Sequence, residues 1–160
     1  MIGSTVGTAK DTAARAGSMA EWAGYLAVAP LVLCLAGVGL LPSYATRELA
    51  QHIALAWGAV LLAGVGALHL GLALAGRLPR APARGASAVP AVLAAAAVVL
   101  SGQRGLALLV VGHGGWWLYE HRVLHAQLPP AYLALRRQLT LATCVLLTLT
   151  MFVSDAAGVL

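Results

Sequence analysis

Two histidines, His69 and His113, each lie inside a long apolar run with glycines close by on both sides. An ionisable side chain in such a run is a candidate functional site, because a bilayer core or packed interior tolerates it only with a partner. Neighbouring glycines allow a flat ligand or another backbone to come close. His69 lies eight residues before Arg77 and His113 nine before Arg122, which places each about 12 Å inside a polar boundary at 1.5 Å of rise per residue. Equal depth allows the two rings to face each other, and the chemistry of that arrangement is bis-histidine ligation of haem b. The other reading is structural: each imidazole bonds a carbonyl, tyrosine or serine of a neighbouring helix, with Tyr132 and Thr140 as further partners for His69.

His121 and His125 are spaced i, i+4, which suits a metal on one helix face. No third ligand accompanies them, and Glu120 points about 100° away from His121, so the zincin arrangement is not reproduced. No metal is expected. Arg77, Arg80 and Arg84 share a proline-rich break and suit anionic lipid headgroups. The five acidic residues are scattered, and no nucleophile–base pair, phosphate loop or carboxylate pair is evident. The inventory argues against an enzyme.

These residues need helices to hold them. The stretch Leu49 to Gly76 has no acidic or basic residue, five glycines and two histidines, and its length exceeds the roughly 20 residues that cross a bilayer. With 61% hydrophobic residues, 9% charged ones and a mean hydropathy of +0.87, the 160 residues do not describe a soluble core. Five spans are expected: about 23–41, 49–76, 86–100, 105–124 and 131–153. Residues 1–20 read as a flexible tail with a surface helix as the other possibility, and 21–160 as one transmembrane domain. Helix two should be continuous through its glycines, since an unsatisfied carbonyl in lipid costs several kcal/mol. Pro90 falls in the first turn of helix three, where its missing N–H does no harm. Gly58, Gly64, Gly66 and Gly71 read as packing surfaces.

Alternation of five spans puts Lys10, Arg15, Arg77, Arg80, Arg84, Arg122, Arg136 and Arg137 on one side and only Arg47 and Arg104 on the other. By the positive-inside rule the amino terminus is cytoplasmic and the carboxyl terminus outside, in a bacterial inner membrane. Positive charge so distributed reports orientation and implies no nucleic-acid partner. Cys34 and Cys144 both sit in apolar runs and behave as small hydrophobes.

With the spans placed, three stretches carry a resemblance. Ala29-Pro30 precedes a Leu/Gly-rich run, Gly66-Ala-Leu-His69-Leu-Gly71 lies in helix two, and Leu128-Pro129-x-x-Tyr132-Leu-x-Leu-Arg136 opens helix five. Together they resemble the domain of unknown function 3429 family of five-helix membrane proteins, which includes transmembrane protein 69 of animals. Ala67 and Leu70 stand where that pattern has glycine and tryptophan. The resemblance implies an all-α bundle and marks Pro129, Tyr132 and Arg136 as the start of the last helix; it implies no activity.

Two functions follow as expectations. One is a non-enzymatic accessory subunit or assembly factor that acts through other membrane subunits or a homo-oligomer, since polar groups within the spans are few. The alternative is a small-ligand, haem-binding or transport bundle that uses His69 and His113.

Overall fold

The computed structural model describes residues 3–76 and 80–158, with side chains at 19, 21–76 and 85–156. It is all-helical among those residues: α1 Gly3–Leu40, α2 Tyr44–Leu74, α3 Arg80–Leu100, α4 Gly102–Tyr119 and α5 Pro130–Gly158, with a π-helical turn Glu120–Leu124 closing α4. Three helices contain stretches long and apolar enough to cross a membrane, Glu21–Leu40, Tyr44–Leu74 and Pro130–Ala156; Gly85–Leu100 is apolar but shorter.

Every consecutive pair runs antiparallel. Trp57 Nε1 donates to Ala27 O at 2.7 Å across α1 and α2, and Gly66 meets Ser87 and Pro90 across α2 and α3. Between α4 and α5, Gln103 bonds Ser154 at 2.8 Å near one end, while Glu120 and Arg136 pair near the other. Gly24 packs on Leu139 and Gly39 on Val153, so α1 and α5 are parallel, as an up-and-down bundle of five requires. The central element is α2, which packs against all four other helices.

Small residues permit that packing. A Cβ on Gly105 would run into the carbonyl of Ala97 and into Leu55, and one on Gly66 into the carbonyl of Ser87, so each glycine marks a near-contact of backbones. Gly58 receives Leu109 and Leu147. The main core is aliphatic, with Leu31, Leu62, Leu106, Leu109 and Leu147 fully buried. A smaller cluster of Ala73, Leu124 and Leu128 seals the far end.

Several expectations are revised. Gly64 and Gly71 have open space where a Cβ would be, so only Gly58 and Gly66 of the four act as packing surfaces. Helix three starts at Arg80, which places Arg80 and Arg84 on its first turns and not in a loop. Pro82 is then the residue in the first turn, where it costs no hydrogen bond. Pro90 sits in the helix interior, buried against Gly66. Arg77 and the side chains of Arg80 and Arg84 lie outside the described residues, so their proposed headgroup contact does too. Residues 3–20, read from sequence as a flexible tail or a surface helix, are helical backbone continuous with the first span. Helix two runs unbroken through its glycines, as expected. Both cysteines are free thiols.

Candidate functional site: a buried carboxylate and an adjoining cavity

Three close contacts fix the register of α4 on α2. A Cβ on Gly105 would meet Leu55, one on Gly112 would meet Leu62, and one on Gly58 meets Leu109. The two helices therefore run in parallel at an offset of about 50 residues. His69 is level with Tyr119 and Glu120, whereas His113 is level with Ala63, about 9 Å higher at the helical rise. Depth counted inward from arginines misplaced the pair. On this register Arg122 is level with Leu72, five residues short of Arg77, so the two reference points were never at one height.

Each histidine has its own partner. His113 donates from Nε2 to the Gly58 carbonyl at 3.1 Å. His69 Nδ1 lies 2.9 Å from Val65 O, one turn back on its own helix, and its Nε2 is 3.2 Å from Glu120 Oε1. Trp116 stands edge-on to the His69 ring at 5.3 Å and is tilted against Tyr119 at 5.0 Å. His69 is thus held by α4 and the turn that follows it, as its position demanded, but the partner is Glu120 and not His113. The two rings stand at different levels, and His113 Nε2 is bonded to the Gly58 carbonyl, so they do not face each other as two ligands of one haem would.

Glu120 is fully buried. Its second oxygen, Oε2, accepts from Arg136 Nε at 3.2 Å. Arg136 was expected on the polar face at the start of helix five, beside Arg137 and Gln138. Instead its side chain is turned inward and only 12% exposed, while Arg137 and Gln138 remain exposed. A buried acid requires such pairing, since an isolated charge would be several kcal/mol too costly. Tyr132 stands one turn before Arg136 and borders the same carboxylate, and Pro129 precedes α5 at the surface.

The proton inventory follows from the contacts. Val65 O can only accept, so His69 Nδ1 carries a hydrogen. His69 Nε2 and Glu120 Oε1 are 3.2 Å apart but make no hydrogen bond to each other, while Arg136 Nε donates to the other carboxylate oxygen, Oε2.

Beside the cluster is an open-sided cavity of ≈ 490 Å³ between α1, α2 and α5, with His113 of α4 also lining it. Tyr132, Arg136, Leu139 and Thr143 line it from α5, a spacing of 4, 3 and 4 that puts all four on one helix face. Gly64 leaves its α2 wall open. Arg136 Nη2 and His113 Nδ1 are buried without hydrogen-bond partners, as are His69 Nε2, Gln103 Oε1, Trp116 Nε1, Glu120 Oε1 and Thr140 Oγ1 outside the cavity wall, and the Tyr132 hydroxyl lies beside Glu120. Such atoms are rare in a closed core and occur where a ligand or ordered water completes them.

Two of the three stretches that carried the resemblance meet here: His69 comes from the second, and Tyr132 and Arg136 from the third. The family model described as protein of unknown function (DUF3429) matches residues 16–152. The chain belongs to the DUF3429 family. No curated protein and no solved structure matches it. The DUF3429 match spans everything that builds the site, from Gly24 on α1 to Thr143 on α5.

The residue that sequence reasoning missed is Glu120. It was compared only with its neighbour His121, whereas its position is seven residues after His113 and four after Trp116. Those three share the buried stripe of α4 that also includes Leu106 and Leu109. An acid on the same face as an intramembrane histidine was the available signal. The π turn that starts at Glu120, a form that recurs at functional positions, has no sequence mark. His121 and His125 are exposed, His121 stacking on Trp117 at 5.6 Å. Among the described residues no group of three or more His, Cys, Asp or Glu is placed to hold a metal.

Proposed function

We propose that this DUF3429 protein is a five-span protein of the bacterial inner membrane that binds a small amphipathic ligand in the cavity between α1, α2 and α5. The observation behind it is the cavity itself: ≈ 490 Å³ with mostly apolar walls and two buried polar atoms without hydrogen-bond partners, Arg136 Nη2 and His113 Nδ1, on residues that line it. Volumes of about 300–1,000 Å³, apolar walls and a few convergent polar groups describe ordinary small-molecule sites.

Five spans are supported by the antiparallel order of the helices. Both α3 and α4 lie against α2, and α4 with its π turn, 102–124, matches a hydrocarbon thickness of about 30 Å. The amino terminus is cytoplasmic and the carboxyl terminus outside, since α1 and α5 are parallel and positive residues are concentrated on one side. Removing Arg136, which pairs with Glu120, still leaves seven against two. The protein acts by binding and not by catalysis.

A second reading, an accessory subunit or assembly factor, draws on Leu26, Leu33 and Leu40, large apolar side chains exposed along α1, which a partner subunit or lipid would cover alike. Purification in mild detergent separates the two. A small molecule that extracts from wild-type protein but not from Gly64→Leu supports the cavity. A stable partner band, with nothing extracted, supports the second reading and overturns the first.

A further inference from the structure

We infer that the cavity takes an uncharged lipophilic alcohol from the bilayer, with its hydroxyl donating to His113 Nδ1 and its apolar body along the α2 wall. This deepens the ligand-binding reading and rests on it. The tautomer of His113 carries the argument. The Gly58 carbonyl can only accept, and it stands 3.1 Å from His113 Nε2, so the ring hydrogen is on that nitrogen. Nδ1 is then a bare acceptor. It has no hydrogen-bond partner, on a ring that is 1% exposed and lines the cavity. A second ring proton would put a charge among apolar side chains, and Glu120 is already paired with Arg136. The group that completes Nδ1 is therefore a donor brought by a ligand.

The charges bordering the cavity are balanced. Arg136 lines it and is paired with Glu120 Oε2 at 3.2 Å, one positive charge with one negative. A charged ligand would enter apolar walls with no free ion to meet it, whereas a hydroxyl brings only a dipole. Its oxygen also suits Arg136 Nη2, a donor without a hydrogen-bond partner on a residue of the same wall.

The mouth shows which phase supplies the ligand. Of the residues that line the cavity, the exposed ones are Val60, Gly64 and Leu68, spaced four apart on one stripe of α2. Val60 is 58% exposed and Leu68 47%. None of the three is polar. Toward the outer end α1 and α2 are closed on each other, where Gly37 meets Ala50 and Trp57 bonds Ala27. The opening is thus partway along the apolar helix Tyr44–Leu74 and faces acyl chains, so a ligand must dissolve in lipid to reach it.

The test uses the full-length protein in phosphatidylcholine nanodiscs and tritiated hexadecanol with a diazirine in the middle of its chain. Irradiation and peptide mapping read the site. Saturable labelling is expected on α2 between Trp57 and Leu68. Unlabelled hexadecanol should compete about tenfold better than hexadecyl methyl ether, which keeps the chain and the oxygen but cannot donate, the effect of one buried acceptor left unpaired. It should also compete better than palmitate, which has the chain and a negative charge.

His113→Gln keeps a donor for the Gly58 carbonyl and removes the acceptor at Nδ1, so alcohol and ether should then compete alike; a preference that survives overturns the assignment to Nδ1. Gly64→Leu, at a position where a side chain meets no protein atom, closes the mouth and keeps the proposal falsifiable if the His113 variant does not fold. It should abolish the labelling, and labelling that persists overturns the inference. In wild type, competition by the ether or by palmitate as strong as by the alcohol overturns the alcohol assignment and leaves the ligand site standing. If labelling is not saturable, but wild-type protein yields a molecule that Gly64→Leu lacks, the alcohol assignment again fails alone. If labelling is not saturable and nothing is extracted, both readings fall.

Discussion

Replacing Glu120 with glutamine tests whether the buried cluster is held by charge. Gln keeps the shape, and its amide can still donate to His69 Nε2, so the change falls mainly on Arg136. The guanidinium side chain is 12% exposed and its partner is Glu120 Oε2 at 3.2 Å. Breaking one side of a buried pair costs about 3–5 kcal/mol. Arg136 stands less than two turns from the start of α5, and a long side chain there can relax outward, so the lower end, about 3 kcal/mol, is expected. That is a large share of a typical total of about 5–15 kcal/mol. The double variant Glu120→Gln/Arg136→Met removes both charges and should recover to within about 1 kcal/mol of wild type, because apolar replacement of a complete buried pair is often neutral. Reversible unfolding in mixed micelles, titrated with a denaturing detergent, measures all three. A single variant within about 0.5 kcal/mol of wild type, or a double variant no more stable than Glu120→Gln, would refute the charge argument.

Two glycines on α2 and α4 should respond in opposite directions. Gly105→Ala forces a Cβ against a backbone carbonyl and should cost about 1–3 kcal/mol, whereas Gly64→Ala meets nothing and should gain up to about 1 kcal/mol from helix propensity; equal effects would break the assigned α2–α4 register. His113→Ala removes the bond to Gly58 O and should cost about 1 kcal/mol with no change in the visible absorption of the purified protein; loss of a Soret band would restore haem ligation. Leu147→Ala, at a fully buried position against Gly58, should lower stability by about 2–5 kcal/mol in the same detergent titration. A reporter fused after Gly76 should read cytoplasmic and one after Leu160 outside; the same side for both would sink the five-span order.

The sequence alone determined the all-helical class, the number of helices and the family, because a bilayer core and backbone hydrogen bonding leave an uncharged run such as Leu49 to Gly76 almost no other form. It also fixed that His69 faces protein, since its ring needs partners wherever it lies. What it could not determine was which partner. That depends on the height of α4 against α2, which is set where Gly105 meets Leu55 and Gly112 meets Leu62, contacts between residues about 50 apart with no local signature. The inward turn of Arg136 has the same origin. Periodicity places it near a helix start among polar neighbours, and only the buried carboxylate arriving from α4 makes burial of the guanidinium favourable. The cavity is likewise a tertiary product, because Gly64 reads the same in sequence as Gly66, and only the position of α3, packed over one and absent from the other, decides which glycine is filled and which is left open.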